Sequence, residues 1–373
     1  MKKIRVLLII LLISHPLFAI DIRFNTPVFT NDASISGNVP DGLSSEDLSY
    51  EIFNDIEREL RYRLSGFSAN PGNLIGAFAN ASIFSNHGAG QYSFGTYNRF
   101  AFTIGPMVGF RLPASYLSFS DGLIGSENTA PIDHDEPAIT TYAQILNAQI
   151  GINTSAFFLR DLYLGIKIGY MNMPIDIFSF NTFSIGAMAN YKLLNNRNIA
   201  AGSLQWSGIS IGTGFIYQNS AISVNYPLEI AIEGRSIYVD DHEVRAGVSD
   251  TKFNLDFNIN TYTIPVEVMT SIRLFSFINL AAGAGLDIGF GRADLSANGT
   301  VTTDFMDLPP GIVQISPGTV SFQINGNSGP SILNPKIMAA LGLVLGQVML
   351  DIPFTYYPLN NGINFGITIG IFL

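Results

Sequence analysis

The chain has 373 residues, no cysteine and a formal charge of −10, and it is 47% hydrophobic but only 13% charged. The acidic balance excludes the clustered Lys and Arg that phosphate binding requires, so no nucleic-acid partner is expected. Without cysteine there is neither a disulfide framework nor a lipid-modified N-terminus.

Lys2, Lys3 and Arg5 precede an apolar run from Val6 to Phe18, and Ala19 stands before Ile20-Asp21. This is the layout of a secretory signal over 1–19, with cleavage expected near Ala19. His15 and Pro16 interrupt the run, which is short for a membrane anchor. Losing the three cations takes the charge of the remaining chain from −10 to −13.

Residues 20–97 form an N-terminal segment with two predicted helices. In Ser44–Leu64, the residues Leu48, Ile52, Phe53, Ile56, Leu60 and Leu64 recur at helical spacing, and Ser44 with Asp47 supplies a capping start. Asn70-Pro71-Gly72 breaks the chain, and Leu74–Phe84 is the second helix. The segment is expected on the periplasmic side or as a plug in a lumen.

From residue 98 to 373 the pattern changes to period two. Arg99–Leu112 sets Phe100, Phe102, Ile104, Val108, Phe110 and Leu112 on one face, against Arg99, Ala101, Thr103, Gly105, Gly109 and Arg111 on the other. Leu162–Met171 repeats the design, as do about 143–156, 181–192, 207–218, 262–274, 278–290, 335–345, 347–357 and 363–373. Each approaches the ~9–11 residues with which a tilted strand crosses hydrocarbon, and ten is an even number, as bacterial barrels require. Ile222–Ile232 and Phe253–Ile259 also alternate and read as long outer hairpins or as two further spanning strands, so twelve or fourteen strands stay open. Short turns at Arg160-Asp161, Phe275–Phe277 and Gly346-Gln347 alternate with long connections at 113–142, 219–261 and 291–334, the latter assigned to the outer side. The non-greasy face is Gly, Ala, Ser and Asn, too poor in charge for the solvated exterior of a soluble sandwich. The expected fold is therefore all-β: a transmembrane antiparallel up-and-down barrel in an outer membrane, with membrane lipid and the barrel-assembly machinery as its partners.

Several residues carry candidate chemistry. The predicted lumen-facing charges are Arg99, Arg111, Lys167, Glu267, Arg273, Asp287 and Asp351, which either set solute selectivity or pair with one another. Asp133-x-Asp135 and Asp240-x-His242 fall in predicted outer loops. They read as solvated loop charges, as a cation site, or as a pair that activates water. Gly208-Ile209-Ser210-Ile211-Gly212 matches a nucleophile-elbow pattern but lies inside a predicted strand rather than at a strand-to-helix turn. His87 reads as a loop or helix-end residue. No catalytic residue, metal or cofactor is assigned, and no enzyme activity is expected.

Residues 70–113 carry a resemblance. "NPGNLIGAFANASIFSNHGAG" followed by "FAFTIGPMVGFRLP" resembles the start of a family of spirochaetal surface-adhesin-type outer-membrane proteins, with an Ala/Asn-rich helix ending in Ser-x-His and a first strand closing in Leu-Pro. That resemblance implies surface exposure and adhesion to a host or matrix ligand. Asn70-Pro71 ahead of a barrel is similar to the helical hatch of long-chain fatty-acid channels, which implies a plugged, porin-like route for small or apolar solutes. The Asp-x-Asp and Asp-x-His pairs resemble those of the ten-stranded omptin proteases, a third and more remote implication. Surface protein, plugged channel and protease are the functions the sequence leaves in play.

Overall fold

The computed structural model describes residues 18–25, 28–31, 71–86, 100–111, 141–154, 161–175, 178–200, 203–227, 236–239, 242–306, 312–316 and 318–372. The helix expected over 44–64, Arg99, His87, the acidic stretch 133–136 and Asp240 lie outside them. The only helix among the described residues, α1, spans Pro71–Ser85. Ten strands follow in chain order: β1 (Phe100–Arg111), β2 (Thr141–Asn153), β3 (Leu162–Ile175), β4 (Phe178–Leu194), β5 (Leu204–Pro227), β6 (His242–Leu274), β7 (Ile278–Met306), β8 (Leu333–Leu345), β9 (Val348–Tyr357) and β10, which runs Gly362–Gly366 and Thr368–Phe372 with a break at Ile367.

Each strand pairs antiparallel with the next, and β10 returns to β1 in the register Gly370↔Thr103 and Ile363↔Phe110. The sheet is thus a closed ring of ten, which leaves no edge among its spanning strands. Tight turns set one end of the barrel. Phe275 and Ser276 both adopt positive φ (50° and 64°), and Asp161 and Gly346 do so singly (67° and 63°). A short strand, Arg197–Ala200, follows β4 and pairs with the start of β5.

The two faces divide as the alternation predicts. Outward side chains such as Ile166, Ile168, Leu341, Ile352, Phe365 and Ile369 are about half exposed, while Thr103, Asn147, Gln149, Ser184, Thr355 and Thr368 point inward and are buried. An isolated protein in water would not leave so continuous an apolar belt uncovered. A closed ring that satisfies its own backbone is one of the two structures hydrocarbon tolerates. Arginine in place of Ile352, midway along the belt of β9, is expected to cost about 2–4 kcal/mol of barrel stability. Arginine at Asn298 should cost almost nothing. Unfolding of the two variants in detergent, followed by gel mobility, checks the contrast.

In two of the long "outer loops" the described residues are mostly strand. β5, β6 and β7 run to 24, 33 and 29 residues, well beyond a bilayer crossing. The alternating stretches at 222–232 and 253–259 are not further spanning strands: Ile222–Pro227 and Phe253–Ile259 are continuations of β5 and β6, paired Phe257↔Ile222 and Phe253↔Tyr226. The expected count of ten spanning strands holds, and the alternative of twelve or fourteen falls away. Gly318–Ser328 joins this wall along β7, and Phe18–Asn25 pairs outside it.

The polarity of the alternation inverts along these strands without a slip of face. Up to Tyr217, Tyr262 and Phe290 the outward residues are mostly apolar and the inward ones mostly polar or small, with Ile216 and Met269 as inward exceptions. Beyond them the outward positions are Asn219, Ser223, Asn258, Asp256, Arg292 and Asp294, and the inward ones are Ile222, Phe257, Ile259, Ala293 and Leu295. The rings of Tyr217, Tyr262 and Phe290 lie side by side at the switch, with centroids 5.1 and 5.4 Å apart. Aromatic rings above an apolar belt mark a membrane–water interface. From Phe290 down to Ile278 the belt is about 30 Å tall at ~3.3 Å per residue and a tilt near 40°, matching a bilayer core.

Candidate functional site: the plugged lumen

α1 occupies the lumen at the end that carries the long connections. Pro71 opens it at a position where a missing N–H costs nothing. Its sequence has no amphipathic stripe because it is enclosed on every side. Ile75, Ala77, Ala79, Ala81, Ser82, Ile83, Phe84 and Ser85 are all buried. Small residues let it approach the wall closely. Ile75 and Ala79, with the partly buried Phe78, pack on Phe180, Ile222, Phe257, Ile259, Ala293 and Leu295, the inward apolar side of the rising wall.

Polar contacts fix its register. Asn80 accepts from the Ser331 amide (2.8 Å) and donates to the Ser331 hydroxyl (3.2 Å). Ser82 lies 3.3 Å from Thr261 Oγ1 and accepts from Gln218 Nε2 at 2.8 Å. Asn364 donates to the Phe84 carbonyl. Arg111 reaches the Asn73 carbonyl at 3.3 Å from the opposite end of the helix.

Beneath the last turn lies a chain of contacts into the barrel. Phe84 stacks on Tyr357 with centroids 4.0 Å apart, and the Tyr357 hydroxyl donates to Asp287 Oδ2 at 3.0 Å. Lys336 Nζ donates to Asp287 Oδ1 at 2.7 Å and to Glu267 Oε1. Lys336 and Glu267 face each other across Gly285, which pairs with both in the sheet. A methyl group at Gly285 would stand 3.0 Å from Lys336 Cε, so the missing side chain is the space the ion pair uses. Lys167 enters from β3, five strands from β8 in the ring and so on the opposing wall. It is buried and within electrostatic reach of Glu267, Asp287 and Lys336.

Of the charges predicted to face the lumen, Lys167, Glu267 and Asp287 converge in this cluster. Asp351 is buried nearer the short-turn end, on the level of Asn279 and Gly342. Arg111 and Arg273 are half-buried, Arg273 with Nε and Nη2 lacking hydrogen-bond partners among the described residues. Sequence reasoning missed Lys336 and Tyr357. The signal for Lys336 was its parity with Met338, Ala340 and Gly342, which puts it on the lumen side of β8. Ser210 sits within β5, so its Gly-flanked pattern has no strand-to-helix turn. His242 begins β6, and its proposed partners lie outside the described residues. Among the described residues no three His, Asp or Glu side chains gather as metal ligands.

A closed ten-stranded ring, an apolar belt with an aromatic border and a helix lodged in the lumen together define a transmembrane β-barrel of the outer-membrane type. The chain belongs to the Lsa36-like family, whose model matches residues 45–372, Lsa36 being a spirochaetal surface protein. No curated relative matches it. Solved structures that it is similar to include the translocator domain of the autotransporter NalP from Neisseria meningitidis (9% identity, 83% of this chain and 96% of that one, TM-score 0.31). Others are the outer-membrane protease OmpT from Escherichia coli (9%, 74% and 96%, TM-score 0.32) and a FadL homologue from Pseudomonas aeruginosa (8%, 79% and 93%, TM-score 0.22). Likeness at that level speaks to neither activity nor ligand.

Proposed function

We propose that this protein is a non-enzymatic surface protein of the outer membrane. In this reading the barrel is a sealed anchor, and the wall formed by β5, β6 and β7 with its loops contacts host or environmental ligands. The observation that carries it is α1, held in the lumen by buried contacts with strands around the ring, among them Phe180 on β4, Gln218 on β5, Thr261 on β6, Tyr357 on β9 and Asn364 on β10. A lumen so occupied supports an anchor better than a pore, and a wall standing beyond the aromatic border offers a broad polar face for adhesion.

A second reading, a plugged channel for small or apolar solutes, draws on the region below the helix. There Asn147, Gln149, Ser184, Asn190 and Thr263 present buried polar atoms with no partner among the described residues. Such groups line a polar chamber, the kind of space a solute or water file would use. The experiment is paired. Purified protein in planar bilayers is expected to give no steady conductance. It is also expected to bind an immobilised matrix glycoprotein, with binding lost when residues 228–241 are replaced by a short linker and the barrel stays intact. Steady conductance by the wild type, or binding indifferent to that trimming, would reject the anchor reading.

A further inference from the structure

The outward side of the rising wall carries a groove of about 680 Å³ that the barrel itself does not need. Its walls include Ser223 on β5, Asp256 and Asn258 on β6, Arg292 and Asp294 on β7, and Asn325 on the added strand Gly318–Ser328. These residues are on the same face as the lipid-exposed side chains below, so the groove opens sideways over the membrane rather than upward. Arg292 lies two residues beyond Phe290, and Asp256 six beyond Tyr262. At ~3.3 Å per residue and a tilt near 40°, the groove stands about 5–15 Å above the aromatic border. Simple phospholipid headgroups fill only about the first 5–8 Å of that height. A lipid reaches the rest of the groove only if its headgroup is larger.

The lining chemistry narrows the headgroup further. Its polar side chains are mainly the carboxylates and carboxamides of Asp256, Asp294, Asn258, Asn325 and Asn327, set among apolar lining atoms, and the one cation among the lining residues, Arg292, is already bonded to Asp294 at 2.6 Å. With Asp256 added, the groove has an excess of negative charge, which disfavours phosphate and favours donors of neutral hydroxyls. Asn and Asp both accept from sugar hydroxyls, and Asn can donate back. The volume lies within the ~300–1,000 Å³ of small-molecule sites.

We infer that this groove binds the uncharged sugar headgroup of a glycolipid in the surrounding leaflet, so that the wall leans on the membrane's carbohydrate layer. The inference rests on the proposed orientation, in which the long-connection end faces the outer leaflet. The binding test does not depend on that orientation, because it is done in detergent on the full folded chain.

Native mass spectrometry counts the lipids retained by the protein when digalactosyl diacylglycerol, phosphatidylcholine or phosphatidylglycerol is supplied at equal concentration. The galactolipid is expected to be held at least about tenfold more tightly than either phospholipid. Asn258→Leu with Asn325→Leu should abolish that preference, and Asp256→Asn, which keeps the hydrogen bonding, should retain it. Gel mobility before and after heating confirms that each variant is folded. Equal retention of all three lipids, preference for the anionic one, or a preference that survives the double leucine change overturns the inference. Displacement by free digalactose at the galactolipid's own concentration would also overturn it, because the ligand would then be a soluble sugar rather than a membrane headgroup. Protease shaving of intact cells reports separately on which end is exposed, so failure of the proposed orientation and failure of lipid binding are distinguishable.

Discussion

Valine at position 109 is expected to drive α1 from its seat and give the barrel a conductance that the wild type lacks. Gly109 lies on β1 where the backbone of the helix comes close against the wall. A side chain built there would sit 2.5 Å from the Ser85 nitrogen, 2.7 Å from the Ala81 carbonyl oxygen and 2.9 Å from the Phe84 carbonyl carbon. All three are helix backbone, so no rotamer change relieves the clash and the whole helix must move. Overpacking of this kind costs about 1–3 kcal/mol or more, comparable to the few hydrogen bonds that register the helix. Leaving the wall also breaks the bond from Asn364 to the Phe84 carbonyl and separates Phe84 from Tyr357. Planar-bilayer current and chymotrypsin cleavage at Leu74, Phe78 or Phe84 should therefore rise together. Gly346→Ala is the control. Its φ of +63° makes alanine strained, yet nothing lies within 4 Å, so it should lower barrel stability by about 1 kcal/mol without current. A silent Gly109→Val barrel with an uncleaved helix would mean that the plug is not held by this approach.

The legible part of the fold is the part a bilayer enforces. Hydrocarbon outside and a narrow lumen inside demand period two, so the ten spanning segments, the tight turns and the outward Phe365, Ile367, Ile369 and Ile371 could be read from residue order. Where the bilayer ends, the rule reverses. Phe257 and Ile259 turn inward to cover α1 and Asn258 turns outward, so a template with apolar residues outside does not decide between further spanning strands and an outer extension of β6. α1 itself was located by its breaker at Asn70-Pro71-Gly72, although no stripe could show which way it packs, since enclosure buries all its faces. The ion cluster was half visible. Glu267, Asp287 and Lys167 followed from parity, but their convergence on Lys336 depends on the stagger between β6, β7 and β8. That stagger is a property of the closed sheet and leaves no trace in any single strand.

Lys336→Met is expected to produce the largest loss of stability of any single lumen substitution. Methionine nearly matches lysine in volume, so the core stays filled and the change is one of charge. The Lys336 side chain is fully buried, with Asp287 at 0% and Glu267 at 3% exposure. Removing the cation takes the directly bonded partner from two carboxylates in a compartment walled by protein and membrane, where breaking a buried pair costs about 3–5 kcal/mol, offset in part by the remaining charge of Lys167. Asp287 keeps the Tyr357 hydroxyl, while Glu267 loses the direct bond from Lys336 Nζ. Glu267→Gln in the Lys336→Met background should therefore recover a large part of it, whereas Glu267→Gln alone should destabilise, because Lys336 then loses one counter-ion. Tyr357→Phe removes one hydrogen bond to a charged group and should cost about 1.5–3 kcal/mol, while leaving the stack on Phe84. Urea unfolding of each variant in detergent, read by the mobility of the folded barrel, gives the four values of the cycle. Losses below about 1 kcal/mol throughout would mean that the cluster behaves as a solvated surface pair. Water would then fill the lumen beneath α1, and the channel reading would displace the sealed anchor.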